Sequence, residues 1–155
     1  MIAGIDNLMD IKPLIIRMLN EVNIPTNSED IKIIDRGIPH KSTFKEGNMY
    51  IYTFHYNNQF LKIGKVGGKS RARFYSHHYN PSHTGSNLAK SILNDHLMKQ
   101  YNLTEATVGE WIKKNVARVD FEVNSQLGIF ALNLIESILH CLFPPKYEGF
   151  DNQRL

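Results

Sequence analysis

The apolar positions change period several times along the chain, and each change predicts an element. Leu14, Ile15, Met18, Leu19 and Val22 recur at helical spacing behind Asp10 as N-cap and Pro13 in the first turn, which predicts a helix over residues 11–22. Pro25, Asn27 and Ser28 stop it, and residues 31–34 read either as a short strand or as a helical turn. Residues 35–48 carry Gly37, Pro39, Ser42 and Gly47 without periodicity and form a connector. Residues 49–56 and 60–65 are rich in β-branched and aromatic side chains, and Asn57, Asn58 and Gln59 between them mark a hairpin. Tyr50, Tyr52, Phe54 and Tyr56 share one strand face, and Met49, Ile51, Thr53 and His55 the other. A three-residue loop puts Tyr52 and Lys62 on one face, whereas a two-residue loop without a bulge separates them; the shared face is expected.

Gly67 and Gly68 break the second strand. Ser70 then caps a basic helix running to about residue 79, with Arg73 and His77 four apart on one face, and Pro81 and Gly85 end it. Leu88, Ile92, Leu93, Leu97 and Met98 predict a helix over residues 86–101, and Thr107 opens a short one through Trp111 to residue 115. Around residues 117–124, Ala117, Val119, Phe121 and Val123 bury together while Val116, Arg118, Asp120 and Glu122 do not, which predicts a third strand. The last helix covers residues 128–142 before Pro144 and Pro145. Strands and helices are mixed, so the class is α+β.

Composition narrows the setting. With 155 residues, 42% apolar and 21% charged, the chain has the makeup of one ordinary globular domain, and no apolar run approaches bilayer-spanning length, so no membrane partner is expected. Cys141 is the only cysteine, and the N-terminus lacks the basic-then-apolar order of a secretory leader, so a reducing, cytoplasmic home is expected. The net charge of +3 says little, but its distribution says more. No Asp or Glu occurs from Gly47 to Asn94, where Lys62, Lys65, Lys69, Arg71, Arg73 and Lys90 lie with His55, His77, His78 and His83. Interleaved with aromatics and glycines, this block is suited to meet an anion such as a nucleic-acid phosphate; a solvated basic surface is the plain alternative.

The last helix is apolar almost all round, and Asn133, Glu136, Ser137 and His140 form one narrow polar stripe in which Glu136 is the sole carboxylate. If that stripe is buried, Glu136 requires a cation, a metal or several donors. If it is exposed, a contact from Glu136 to His140 suffices. His77, His78 and His83 have no cysteine nearby and match no zinc-finger spacing. Met9, Met18, Met49 and Met98 read as core filler, Trp111 as packing, and Cys141 as a small buried hydrophobe.

Taken in order, these residues resemble the GIY-YIG nuclease family. Tyr50, Ile51 and Tyr52 match its first motif with tyrosine replacing the glycine, and Lys62, Ile63 and Gly64 match the second with lysine replacing the tyrosine. Arg73 and His77 match its Arg-x-x-x-His helix, and Glu136 its lone glutamate on a late apolar helix. The resemblance covers residues 48–148, about two thirds of the chain, which leaves residues 1–47 as an N-terminal helical extension and connector ahead of a nuclease-like domain over residues 48–155. The family's late asparagine has no clean match, with Glu148 near that place and Asn152 a little beyond.

The resemblance implies a three-stranded antiparallel sheet flanked by helices that cuts DNA with Mg2+ or Mn2+. Tyr52 would be the general base or would align the attacking water, Arg73 would hold the scissile phosphate, and Glu136 would be the single protein ligand of the metal. His77 and Lys62 would support the tyrosine or the phosphate, and Lys65, Lys69, Arg71 and Lys90 would bind DNA. An ordinary tyrosine has a pKa of about 10, so work as a base near neutrality requires adjacent cations such as Lys62 and Arg73. A two-metal site gathers several carboxylates, whereas the basic block has none, so a single ion held by Glu136, water and substrate oxygens is expected, with weak metal binding in the absence of DNA. A noncatalytic nucleic-acid-binding module on the same residues is the alternative, and a partner-binding domain without nucleic-acid affinity a third. A homodimer is one route to cutting both strands; sequential nicking is the other.

Overall fold

The computed structural model describes residues 4–69, 71–83 and 87–147. Strands β1 (Ile31–Asp35), β2 (Asn48–Tyr56), β3 (Gln59–Val66) and β4 (Ala117–Asn124) form one open sheet in the order β1-β4-β2-β3, with every pairing antiparallel. The α+β class holds, but the sheet has four strands rather than three. The added strand is the segment that read equally as strand or helical turn. Its alternation covers only five residues, too few to declare itself, and pairing with the open edge of β4 from Ile31↔Val123 to Asp35↔Val119 decides its conformation. The region before residue 48 is therefore not purely helical.

Helices cover both faces of the sheet. On one, α1 (Ile5–Met9), α2 (Lys12–Glu21) and α6 (Ile129–Leu142) bring Leu8, Ile15, Leu19, Leu132, Ile135 and Leu139 against Ile51, Ile63, Val119 and Phe121. On the other, α3 (Arg71–Tyr75), α4 (Leu88–Asn94) and α5 (Val108–Asn115) bring Phe74, Leu88, Ile92, Val108 and Ile112 against Tyr50, Tyr52, Phe54 and Val66. None of the helices among the described residues is long and apolar enough to cross a membrane.

This two-sided cover corrects the reading of β4. Arg118 and Asp120, expected to stay out of the core, are both fully buried. Alternation separates the two faces of a strand, and here the second face is roofed by α3 and α5. Burial of these charges is tolerable because they pair: Asp120 Oδ1 accepts from Arg118 Nε and Oδ2 from Arg36 Nε, each at 2.8 Å. Glu122, next along the same face, accepts from the Tyr50 hydroxyl at 2.8 Å.

The hairpin loop has two residues, not three. Asn57 and Asn58 both adopt left-handed backbone, φ 48° and 57°, the pair of conformations that a type I′ turn demands. Lys62 nevertheless shares a face with Tyr52, because the register shifts between Phe54 and His55. Phe54 pairs with Lys62 and His55 with Phe60, so Leu61 is the extra residue of a β-bulge. The expected face is reached by a different device.

Other boundaries move for local reasons. Ile11, not Asp10, precedes α2, because Asp10 closes the short helix α1. The helix predicted over residues 86–101 stops at Asn94: Asp95 accepts from Leu97 N at 2.9 Å and starts a 3-10 turn, His96–Tyr101. Cys141 is exposed rather than buried, as are Met9 and Met18, whereas Met49 and Met98 do fill the core. Ser70, Gly85 and Ser86, expected as helix start and stop signals, lie outside the described residues.

The buried ion cluster makes a testable claim. Asp120→Ala leaves Arg118 and Arg36 without their carboxylate and is expected to cost about 3–5 kcal/mol. Urea unfolding should show it as a lowered midpoint with an unchanged slope.

Candidate active site

The basic segment after β3 is shaped by Arg118. Its guanidinium stacks 4.5 Å from the Phe74 ring centre and 5.2 Å from that of Phe54. Through Nη1 it donates to the Phe74 carbonyl at 3.1 Å and to the Tyr79 hydroxyl at 2.8 Å. The expected helix to residue 79 is interrupted: α3 ends at Tyr75, Ser76 Oγ turns back to the Ala72 carbonyl at 3.0 Å, and His77–Tyr79 form a 3-10 turn. A serine that bonds its i−4 carbonyl bends a helix, and here the bend turns His78 rather than His77 toward the sheet. Arg73 stays exposed on α3, and His77 is half-buried with its ring stacked 5.1 Å from that of His83.

Tyr52 lies fully buried on β2, opposite Gly64 of β3. Its ring covers that glycine so closely that a Cβ there would fall 2.5 Å from Cζ and nearer still to the phenol oxygen. The glycine of the Lys-Ile-Gly triplet is therefore what admits the tyrosine. The His78 ring packs 4.3 Å from that of Tyr52, between it and Phe54. Neither ring nitrogen of His78 has a hydrogen-bond partner among the described residues. Burial, with Lys62, Arg118, His77 and Arg73 adding positive charge around it, pushes the His78 pKa down to about 2. Lys62 is buried on the same face.

Glu136 approaches from the other layer. Helix α6 packs on β3, and His140, one turn further on, uses Nε2 to meet the Ile63 carbonyl at 3.1 Å. The Glu136 side chain is 17% exposed, and its Oε2 accepts from Lys65 Nζ at 2.5 Å. Of the two readings of the polar stripe, the one with a cation partner holds, and the partner is Lys65 rather than His140. Lys65 and Glu136, with Val66, Gly67, Arg73 and Ile129, line a cavity of about 360 Å³ at the β3 edge of the sheet. Arg73 from one layer and Glu136 from the other thus reach the same hollow. Tyr52, Lys62 and His77 do not line it; Tyr52 and Lys62 sit in the buried layer beside it.

The remaining basic residues divide. Arg71 pairs with Glu46 and lies 5.6 Å over the Phe44 ring, Lys90 Nζ donates to the His83 carbonyl at 3.1 Å, and Lys69 is exposed. Glu148 and Asn152, weighed for the late asparagine, lie outside the described residues. Sequence reading passed over His78 in favour of its neighbour; the signal for it was Ser76, a residue able to break the helix between Arg73 and His77.

Glu136 can serve as one ligand of a divalent ion. Its Oε1 has no hydrogen-bond partner among the described residues, and the cavity leaves room for water and a substrate oxygen. The ion would have to share or displace the Lys65 ammonium. No group of three His, Cys, Asp or Glu side chains gathers as a metal site among the described residues. In comparisons with known proteins, no family model, no curated protein and no solved structure matches the chain.

Two measurements follow from this geometry. Gly64→Ala drives a methyl group into the Tyr52 phenol, which His78 and Phe54 prevent from retreating, and should cost about 1–3 kcal/mol in chemical unfolding. Burial lowers the pKa of His40, His55 and His78, so each stays neutral in the fold at pH values where the unfolded chain takes up a proton. The unfolded state then binds more protons, and stability falls as pH drops below about 6.5, by about 1.4 kcal/mol per pH unit for His78 alone. Thermal unfolding between neutral and mildly acid pH should show this slope, and His78→Leu should flatten it.

Proposed function

We propose that the protein is a metal-dependent DNA endonuclease of the GIY-YIG type. One observation carries the reading: Arg73 and Glu136, far apart in sequence and on opposite sides of the sheet, line one cavity together with Lys65. The antiparallel order β4-β2-β3, with Tyr52 of β2 against Gly64 of the edge strand β3, supports it.

On this reading Arg73 receives the scissile phosphate, since its guanidinium is exposed at the cavity and can bond two phosphate oxygens at once. Glu136 would hold Mg2+ or Mn2+, which when bound neutralises charge on the phosphate and on the leaving oxygen. Lys65 holds the Glu136 carboxylate in place until substrate arrives, which makes metal binding weak without DNA. Tyr52 would align or deprotonate the attacking water, with Lys62 on the same face as its cation; because its phenol oxygen is buried over Gly64 and outside this cavity in the free protein, that role requires the β3 edge to open as DNA binds. Neutral His78 packs against that ring and adds no charge of its own.

The same pairing of Lys65 with Glu136 favours a second reading, a noncatalytic nucleic-acid-binding module, because a neutralised carboxylate does not need a metal. Supercoiled plasmid with Mg2+ separates the two. Wild type should nick or linearise it, and Glu136→Gln and Arg73→Ala should each lose about 10²–10³-fold in rate, the range for losing one transition-state charge stabiliser. Salt-sensitive binding without strand cutting under Mg2+ or Mn2+ would sink the nuclease assignment and leave the binding module.

A further inference from the structure

A second cavity, of about 480 Å³, lies away from the β3 edge, between the connector and α5. Pro39, His40, Lys41 and Ser42 form one wall, Tyr75 and Tyr79 another, and Glu110, Lys113 and Lys114 of α5 a third, with Arg118 beneath. Four cationic side chains face one carboxylate, and that carboxylate, Glu110, is already within 3.3 Å of Lys113 Nζ.

The floor carries an imbalance. Arg36 and Arg118 share the single carboxylate of Asp120, so the buried cluster keeps an excess positive charge. Arg118 Nε and Nη1 are engaged, but Nη2 has no hydrogen-bond partner among the described residues. Ser42 Oγ, in the wall, is likewise buried without one. Leaving buried donors unmet is costly, and an excess buried charge more so.

His40 does not supply the missing acceptor. Its Nδ1 lies 2.7 Å from the Val116 carbonyl, so Nδ1 carries the proton, and Nε2 accepts from the Tyr79 hydroxyl at 2.7 Å. Tyr79 in turn accepts from Arg118 Nη1 at 2.8 Å. The Lys113 carbonyl near the end of α5 is taken by His40 N–H at 2.9 Å.

The geometry points to a phosphate-binding pocket, in which Lys41, Lys113 and Lys114 meet the anion at the mouth while Ser42 Oγ and Arg118 Nη2 meet it below. Both deep donors lie under the present surface, so the connector at Ser42 yields slightly as the anion enters. The ligand is a phosphate group, and the nuclease or binding-module reading makes a backbone phosphodiester away from the cutting site its source. Only that choice of source rests on the proposed function.

The test uses the full chain in EDTA, so that cleavage plays no part. Inorganic phosphate is titrated while the Ser42 amide and Arg118 side-chain resonances are followed, and a labelled short DNA duplex is titrated by anisotropy over a range of salt. Lys41→Ala/Lys114→Ala is compared with Lys32→Ala/Lys99→Ala, all four lysines being accessible at the surface and the second pair outside the cavity. Removing the pocket pair should weaken DNA binding and reduce its salt slope by about 2, with the control pair close to wild type. Saturable phosphate shifts without any effect on DNA assign the pocket to free phosphate instead. No saturable shifts, together with a pocket pair that binds DNA like the control pair, overturns the proposal. Loss of plasmid cutting in Glu136→Gln leaves these binding results unaffected, so the two readings fail separately.

Discussion

Asp120 is gripped from two directions, and much of the second layer hangs on that grip. Arg36 reaches it from the connector after β1, and Arg118 from its own strand. Arg118 then holds the Phe74 carbonyl and the Tyr79 hydroxyl, while Arg36 donates to the Thr43 carbonyl at 3.2 Å. Helix α3 has only five residues, too few to be stable by itself. Its place over the sheet is inherited from this cluster and from Phe74 packed among Tyr50, Phe44 and the Arg118 plane. Arg73, carried on that helix, is therefore positioned by a carboxylate that it never touches.

The elements readable in advance were those whose pattern repeats. Helices α2 and α6 show apolar positions over several turns, and the hairpin declares itself through alternating aromatics around two asparagines that tolerate left-handed backbone. Strand β1 is shorter than its pattern needs and exists because β4 offers an edge. The charged face of β4 misled for another reason: alternation reports which residues share a side, not whether that side meets water. Its burial depends on Arg36, which lies 84 positions away from Asp120. The end of α3 depended on one serine hydroxyl, a local competition that helical spacing does not register.

The candidate site was partly legible for a similar reason. The stretch without Asp or Glu between Gly47 and Asn94 reads as an unbalanced basic block, yet the fold brings Glu46 to Arg71 and Glu136 to Lys65. Charge balance is settled in space, so the sequence overstated how much positive charge remains at the surface. Arg73 and Lys69 keep theirs exposed; Lys62 is buried and Lys65 is committed to an ion pair. Tyr52 and Gly64 were legible as motif positions, but the reason they belong together, one ring filling the space of an absent side chain, is visible only in the paired strands.

The bulge at Leu61 has a consequence for how this hairpin tolerates change. It lies between the turn and the part of β3 that faces Tyr52, so the two ends of the strand are held in register independently. A chain that gained or lost a residue near Asn57 could absorb the difference at the bulge, leaving Gly64 under the tyrosine and Lys65 beside Glu136. The irregularity acts as a slip joint: the exposed tip is free to vary in length while the buried end keeps its alignment.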